Sequence, residues 1–390
     1  MKKRTFSKIW ASCMFTLVAS LSFCASHTDN GAIIEGTDAV LNETARILAG
    51  KELSPNSGLY SFTQSLYYKQ YRDEIHKGWN KFQRSNMENM GRWWEKQRPA
   101  DNFETVLYPF SGPDLPHALA FFPDASTYIM FGLESPAPLL DVSALPEHET
   151  KKALDSIKAS LGTIFHVNFF KTEGMAETLR NQKLNSIGTM LLFFLALHDY
   201  EIVSSRRIAI DKDGSVVPGS KSDDAIRWEN PPKSWVPGIE ISFRKNKGTV
   251  QRVRYYMLNV IDYSLEKFSP NFIPYLKKQA PWATVVKSAS YLMHNTDVKF
   301  SGITKTVLAG SDYIVQDDSG IPLRCLTPGS WEIRFHGYYL RPISLFGHRY
   351  QPDLKKAMDE KSTGTLPFSY GYNFQAGKSN LMTAKRIRRD

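Results

Sequence analysis

Apolar positions recur along this chain with two different spacings, and the change from one to the other near residue 100 divides it. Between Asp38 and Ala49, Val40, Leu41, Ala45, Ile47 and Leu48 fall at helical spacing, and Gly50 follows where a C-terminal cap belongs. From Leu59 to Gln97, apolar residues from Leu66 through Ile75, Trp79 and Phe82 to Trp94 alternate with charges, which predicts one or two long amphipathic helices ended by Pro99.

From Thr105 the texture becomes short apolar runs broken by Gly, Pro and Asp, with helical stretches between, and that alternation predicts an α/β core. Strands are expected at Thr105 to Phe110, Thr127 to Phe131, Ile202 to Ile210, Ala283 to Val286, Tyr313 to Gln316 and Trp331 to Leu340. Helices are expected at Glu147 to Phe165, Ser186 to His198 and Gln351 to Lys361. Gly238 to Lys245 and Thr249 to Val260 flank Asn246-Lys247-Gly248, which predicts a hairpin with the glycine at positive φ. The last 28 or so residues read as a loose basic tail.

Two stretches of this core echo one another. A strand from Thr105 leads through Ser111-Gly112-Pro113-Asp114 and a short helix to a strand at Thr127, while Ala283 to Val286 leads through Ser288-Ala289-Ser290 and a helix containing Leu292 and Met293 to a strand near Tyr313. Either the core holds two related α/β units with their serine-bearing strand ends on one edge, where ligands bind in such folds, or the likeness is the ordinary recurrence of strand-Ser-helix steps. The fold class expected is therefore α/β, a mixed sheet core of two units of this kind with an N-terminal helical segment. The expected divisions are a signal at residues 1–24, helices over 25–100, the core over 101–362 and the tail over 363–390.

Composition changes the picture at the N-terminus. The 390 residues are 42% hydrophobic and 13% aromatic with a formal charge of +10, but Lys2, Lys3, Arg4 and Lys8 precede an apolar run from Ile9 to Phe23, the layout of a secretory signal. Removal of that segment leaves +6, a mild excess without the basic stripe of a nucleic-acid binder, so no nucleic acid is expected as partner. Leu21-Ser22-Phe23-Cys24 resembles a bacterial lipobox, with Phe23 where a small residue is usual. A lipid on Cys24 would hold the protein on a membrane; alternatively Cys24 is part of the apolar run and cleavage falls just beyond it. Cys13 lies in the signal, which leaves Cys325 as the other thiol and gives no expectation of an internal disulfide.

Candidate chemistry clusters at strand ends. Ser111, Asp114 and His117 follow the first core strand, and a serine, an acid and a histidine together suggest a hydrolase, although no Gly-x-Ser-x-Gly elbow is present; Asp114 as a simple helix cap is the alternative. Asp317 and Asp318 close another strand, where adjacent carboxylates act as acid and base or orient a polar ligand, or form a solvated turn. Lys287, Ser288 and His294 belong to the second unit and could face that edge. No metal-ligand spacing and no cofactor motif are found, so neither is expected. Trp93, Trp94, Trp282, Trp331, Tyr338 and Tyr339 could stack on the sugar rings of an envelope polysaccharide if exposed, and would otherwise be core.

Leu107-Tyr108-Pro109-Phe110-Ser111-Gly112-Pro113-Asp114, Lys287-Ser288-Ala289-Ser290-Tyr291-Leu292 and Gln316-Asp317-Asp318-Ser319-Gly320-Ile321-Pro322 resemble an uncharacterised family of exported bacterial proteins over most of residues 100 to 345. The resemblance implies an exported α/β protein and carries over no activity, cofactor or catalytic residue. The leading expectation is an envelope-associated protein, periplasmic or lipid-anchored, that binds a polar ligand or a protein partner at the edge bearing Ser111, Ser288 and Asp317. Two alternatives are a serine- or carboxylate-dependent hydrolase at the same edge and a surface protein that docks a partner through residues 59 to 97.

The lipobox reading predicts a mature chain that begins at Cys24 with a mass increase of diacylglyceryl size. Intact-mass measurement on protein from its native host checks this, and an unmodified start between Ala25 and His27 would set the anchor aside.

Overall fold

The computed structural model describes residues 37–136, 138–167, 186–219, 234–295, 299–374 and 377–387; the segment expected to be a signal, with Cys24, lies outside them. Its frame is a ten-stranded mixed sheet. The strands are β1 (Thr105–Pro109), β2 (Thr127–Gly132), β3 (Glu201–Ile210), β4 (Val216–Pro218), β5 (Val236–Arg244), β6 (Gln251–Met257), β7 (Trp282–Val286), β8 (Ser311–Gln316), β9 (Trp331–Gly337) and β10 (Asn380–Arg386), in the order β4-β3-β5-β6-β2-β1-β7-β8-β10-β9. The five central strands β6, β2, β1, β7 and β8 run parallel, with antiparallel strands on both flanks.

Parallel strands need both faces covered, and the period-2 alternation of these strands sends side chains into two separate cores. Val106, Tyr108, Tyr128, Met130, Val285 and Val315 face one core; Leu107, Ile129, Phe131, Val286 and Ile314 face the other. The first is covered by the N-terminal helices α1 (Ala39–Leu48), α2 (Tyr60–Gln64), α3 (Leu66–Phe82) and α4 (Glu88–Gln97), joined by α5 (Leu115–Phe121), α6 (Glu147–Val167) and α7 (Ile187–Leu197). The second is covered by α8 (Asp262–Phe268), α9 (Phe272–Gln279), α10 (Ser301–Gly310) and α11 (Pro352–Lys361). Among the described residues no helix is long and apolar enough to cross a membrane. The apolar α7 is fully buried instead.

The connection β1-α5-β2 runs along one face toward β2, while β7-α10-β8 runs along the other face toward β8. Opposite directions on opposite faces are what two crossovers of the same hand produce. The strand order therefore reverses between β1 and β7, which are adjacent and parallel with Val106 opposite Ala283. In doubly wound sheets the crevice at the carboxyl ends of two such strands is where ligands bind.

Three expectations need correction. The tail is not loose: Asn380–Arg386 inserts between β8 and β9, pairs with both, and buries Leu381, Met382 and Ala384. Its alternating apolar residues were masked by the surrounding Lys and Arg. In the β5–β6 hairpin, positive φ falls on Asn246 and Lys247, not on Gly248. The helical segment is not a docking stripe, since Trp79 and Trp94 are buried in the first core. Trp282, Trp331 and Tyr339 are likewise core residues, and only Tyr338 of the stacking candidates is openly exposed.

Gly337 ends β9 at φ +82°, and a Cβ there would lie 2.0 Å from the carbonyl oxygen of Ser379, whereas Gly329 at φ +81° has open space around it. Gly329→Ala is expected to cost the left-handed penalty alone, about 1–2 kcal/mol. Gly337→Ala adds a clash with backbone and should lose about 2 kcal/mol more. Urea unfolding of both variants checks the difference, and equal losses would contradict the close approach of β9 to residue 379.

Candidate functional site

The loops after β1, β7 and β8 carry the candidate residues singled out by sequence, and the structure joins all but Ser111 in two buried networks. In the first, the chain leaves β1 through Phe110 and Gly112, both at positive φ, and this sharp exit turns Asp114 back under the sheet edge. Asp114 holds the N-cap position of α5, yet its side chain makes no capping bond. It accepts instead from the Tyr108 hydroxyl at 2.7 Å and from the Lys287 ammonium at 2.6 Å, and its other oxygen faces His117 Nδ1 at 2.5 Å. The Lys287 Nζ also lies 3.1 and 3.3 Å from the two His117 ring nitrogens.

All of these groups are buried. Burial alone would raise the Asp114 pKa, but the adjacent His117 and Lys287 outweigh it and hold the carboxyl down at about 2. Burial lowers Lys287 from its ordinary value, opposed by the charges of Asp114 and Asp317. The bond from Lys287 to Asp114 is thus an ion pair across the point where the strand order reverses.

The second network surrounds Asp317 and Asp318. Asp317 accepts from the backbone N–H of Ser288 at 3.1 Å and from the N–H and hydroxyl of Ser319 at 3.1 and 2.5 Å. Gly371, at φ +69°, lets the C-terminal segment approach so closely that a Cβ there would sit 2.0 Å from an Asp317 carboxylate oxygen. Asp318 accepts from the Tyr291 hydroxyl at 2.5 Å and from Asn380 Nδ2 at 2.9 Å. Burial and the neighbouring Asp317 carboxylate push its pKa up to about 7, against the bonds from Tyr291 and Asn380. His294 Nε2 meets the Asp318 carbonyl oxygen at 3.2 Å, and burial lowers this imidazole to about 4.

The serines stand apart from the histidines. Ser111 Oγ donates to the Gly112 carbonyl at 3.2 Å, and Ser288 Oγ is buried with no hydrogen-bond partner among the described residues. Among the described residues neither Ser111 Oγ nor Ser288 Oγ bonds to a histidine, so the nucleophile–base contact of the hydrolase reading is not made at either serine. Ser288, Ser290 and Tyr291 all adopt positive φ, a concentration of non-glycine strain in four residues. At the rim, Ser290 is exposed; its N–H donates to the Tyr372 hydroxyl at 3.2 Å, and its own hydroxyl lies 3.1 Å from the same oxygen. The Tyr372 ring stacks on Tyr291 with centroids 6.0 Å apart and an interplanar angle of 9°. Among the described residues no group of three or more His, Cys, Asp or Glu is placed to hold a metal ion.

Tyr108, Tyr291 and Ser319 join the networks from within the motif stretches, where their hydroxyls could have been read as partners for the nearby carboxylates. Tyr372 and Asn380 come from the C-terminal segment, and no local pattern in the sequence points to them.

Replacing Lys287 by Met leaves the Asp114 carboxylate buried without its cation and should destabilise the protein by about 3–5 kcal/mol in urea unfolding. Lys287→Met combined with Asp114→Leu should recover at least about 1 kcal/mol relative to the sum of the single losses; additivity would show that the two charges are not coupled. No protein-family model, curated protein or solved structure matches this chain.

Proposed function

We propose that this is an exported, envelope-associated binding protein whose ligand, a short hydroxyl-rich saccharide, sits at the carboxyl edge between the β1 and β7 exits. The observation that carries this reading is Ser288: its hydroxyl is buried without a partner beside the Asp317 network, on a loop held in left-handed conformation. A buried, unpaired hydroxyl costs about 1–3 kcal/mol, and it is retained most readily where a ligand completes its bonding. Ser290 adds an exposed hydroxyl at the rim, and the buried Tyr291–Tyr372 stack beneath it braces the loop. The basic, apolar N-terminus and the lipobox-like Leu21-Ser22-Phe23-Cys24 support export, with lipid on Cys24 as the means of retention.

The same geometry favours binding over hydrolysis. Asp114, His117 and Lys287 bond to one another rather than to Ser111 or Ser288, which leaves the charged groups to shape and rigidify the edge.

Isothermal titration with a tetrasaccharide of alternating N-acetylglucosamine and N-acetylmuramic acid should give saturable binding. Ser288→Ala should leave the melting temperature unchanged or raised, because the hydroxyl has no partner to lose, yet weaken binding about 5- to 10-fold. Binding indifferent to Ser288→Ala would move the ligand elsewhere, and absence of binding to this and related envelope saccharides would overturn the reading.

A further inference from the structure

The segment between β9 and α11 exposes apolar side chains in a way the rest of the surface does not. Ten large hydrophobic residues are openly exposed among the described residues, and four of them, Tyr338 (47%), Leu340 (62%), Leu345 (70%) and Tyr350 (43%), fall within this stretch of thirteen. Single exposed leucines are ordinary on protein surfaces; a cluster on one short connection points to an interaction site.

Neighbouring residues fix these side chains outward. Tyr339 is buried, accepts from the Gln351 N–H at 3.0 Å and stacks on Tyr350 at 5.9 Å and 12°. Phe346, in the short helical turn Ser344–Arg349, packs on Tyr291 at 5.0 Å and on Tyr372 at 5.5 Å. With the connection pinned at both points, Leu340 and Leu345 stay exposed while Tyr339 is buried and Phe346 half-buried.

The charge of the segment selects its partner. Arg341, His348 and Arg349 are interspersed with the apolar residues, and no Asp or Glu occurs from residue 338 to 350. Among the described residues Arg341 and Arg349 form no ion pair; Arg349 donates to the neutral Asn295 side chain at 2.7 Å. Leucines and tyrosines that enter the headgroup boundary, flanked by arginines that meet phosphates, are the pattern of an interfacial membrane contact. A second copy of the chain would bring the same cations face to face.

We propose that residues 338–350 form a docking loop that inserts shallowly into an anionic lipid surface. Through Phe346 the loop sits against the Tyr291–Tyr372 stack, so docking would turn the Ser288–Ser290 rim toward the headgroups. The proposal stands on the exposed cluster and its charge, and holds whatever ligand the site takes.

Hydrogen–deuterium exchange on the full chain tests it, because the readout is local and an anchor at the N-terminus does not confuse it. With vesicles of phosphatidylglycerol and phosphatidylcholine, exchange across 338–350 should slow, and with phosphatidylcholine alone it should not. Leu340→Ser with Leu345→Ser should abolish the slowing while leaving the melting temperature unchanged, and each single change should weaken vesicle partition about tenfold. Unchanged exchange on anionic vesicles, or equal slowing on neutral ones, would overturn the proposal. Slowing that grows with protein concentration in the absence of lipid would overturn it in favour of self-association.

Discussion

The ammonium of Lys287 and the carboxylate of Asp114 are held 2.6 Å apart in the interior of the protein, and much of the arrangement around them follows from the need to keep them together. Each ion taken from water carries a desolvation penalty of several kcal/mol, recovered only where the geometry is good and the remaining hydrogen-bonding positions are filled. Tyr108 and His117 fill them on the aspartate. The pair also joins the exit of β1 to the end of β7, the two strands between which the sheet reverses its order. A buried pair of this kind is weak support for stability, but a slip between β1 and β7 that parted Lys287 from Asp114 would leave two uncompensated buried charges and be costly.

The Asp317–Asp318 network does comparable work on the other side of the same edge. Its donors come from the β7 exit, from the turn after β8 and from the C-terminal strand, so three segments distant in sequence must all arrive before the carboxylates are satisfied. Burial raises the Asp318 pKa, and repulsion from the adjacent Asp317 carboxylate raises it further. Strained loops, an unpaired serine hydroxyl and a costly buried network at one strand edge conflict with the regular, locally consistent sheet beneath them. Such local conflict is where function is found in an otherwise consistent fold.

The position of this edge relative to the surface links the two inferences drawn above. Tyr291 bonds Asp318 with its hydroxyl and packs against Phe346 with its ring, so a single side chain touches both the buried network and the base of the exposed 338–350 loop. Any displacement of that loop at a membrane would be felt first at Tyr291 and Tyr372, the aromatic wall beside Ser288 and Ser290.

Many of the elements were legible in the sequence, because helical and strand periodicities, caps and turn residues act within windows of a few residues. The first helix with its stop at Gly50, the buried run before His198, the β5–β6 hairpin and the unit from Thr105 to Thr127 could all be read in this way, whereas the second unit's helix, expected around Leu292 and Met293, is a single short turn there and the crossover helix lies at Ser301–Gly310. The candidate residues were chosen from loops at the ends of predicted strands, because in an α/β chain that is where ligand groups gather. What those residues bond to was decided only by the tertiary structure. Lys287 meets Asp114 across 173 residues, and Asn380 meets Asp318 across 62. Neither contact has a local signature, because strand order depends on which apolar faces are covered together and not on any one stretch of chain. The C-terminal strand shows the same limit: seven residues from Asn380 to Arg386, flanked by basic side chains, are weakly patterned alone, and only the vacant position between β8 and β9 makes them a strand.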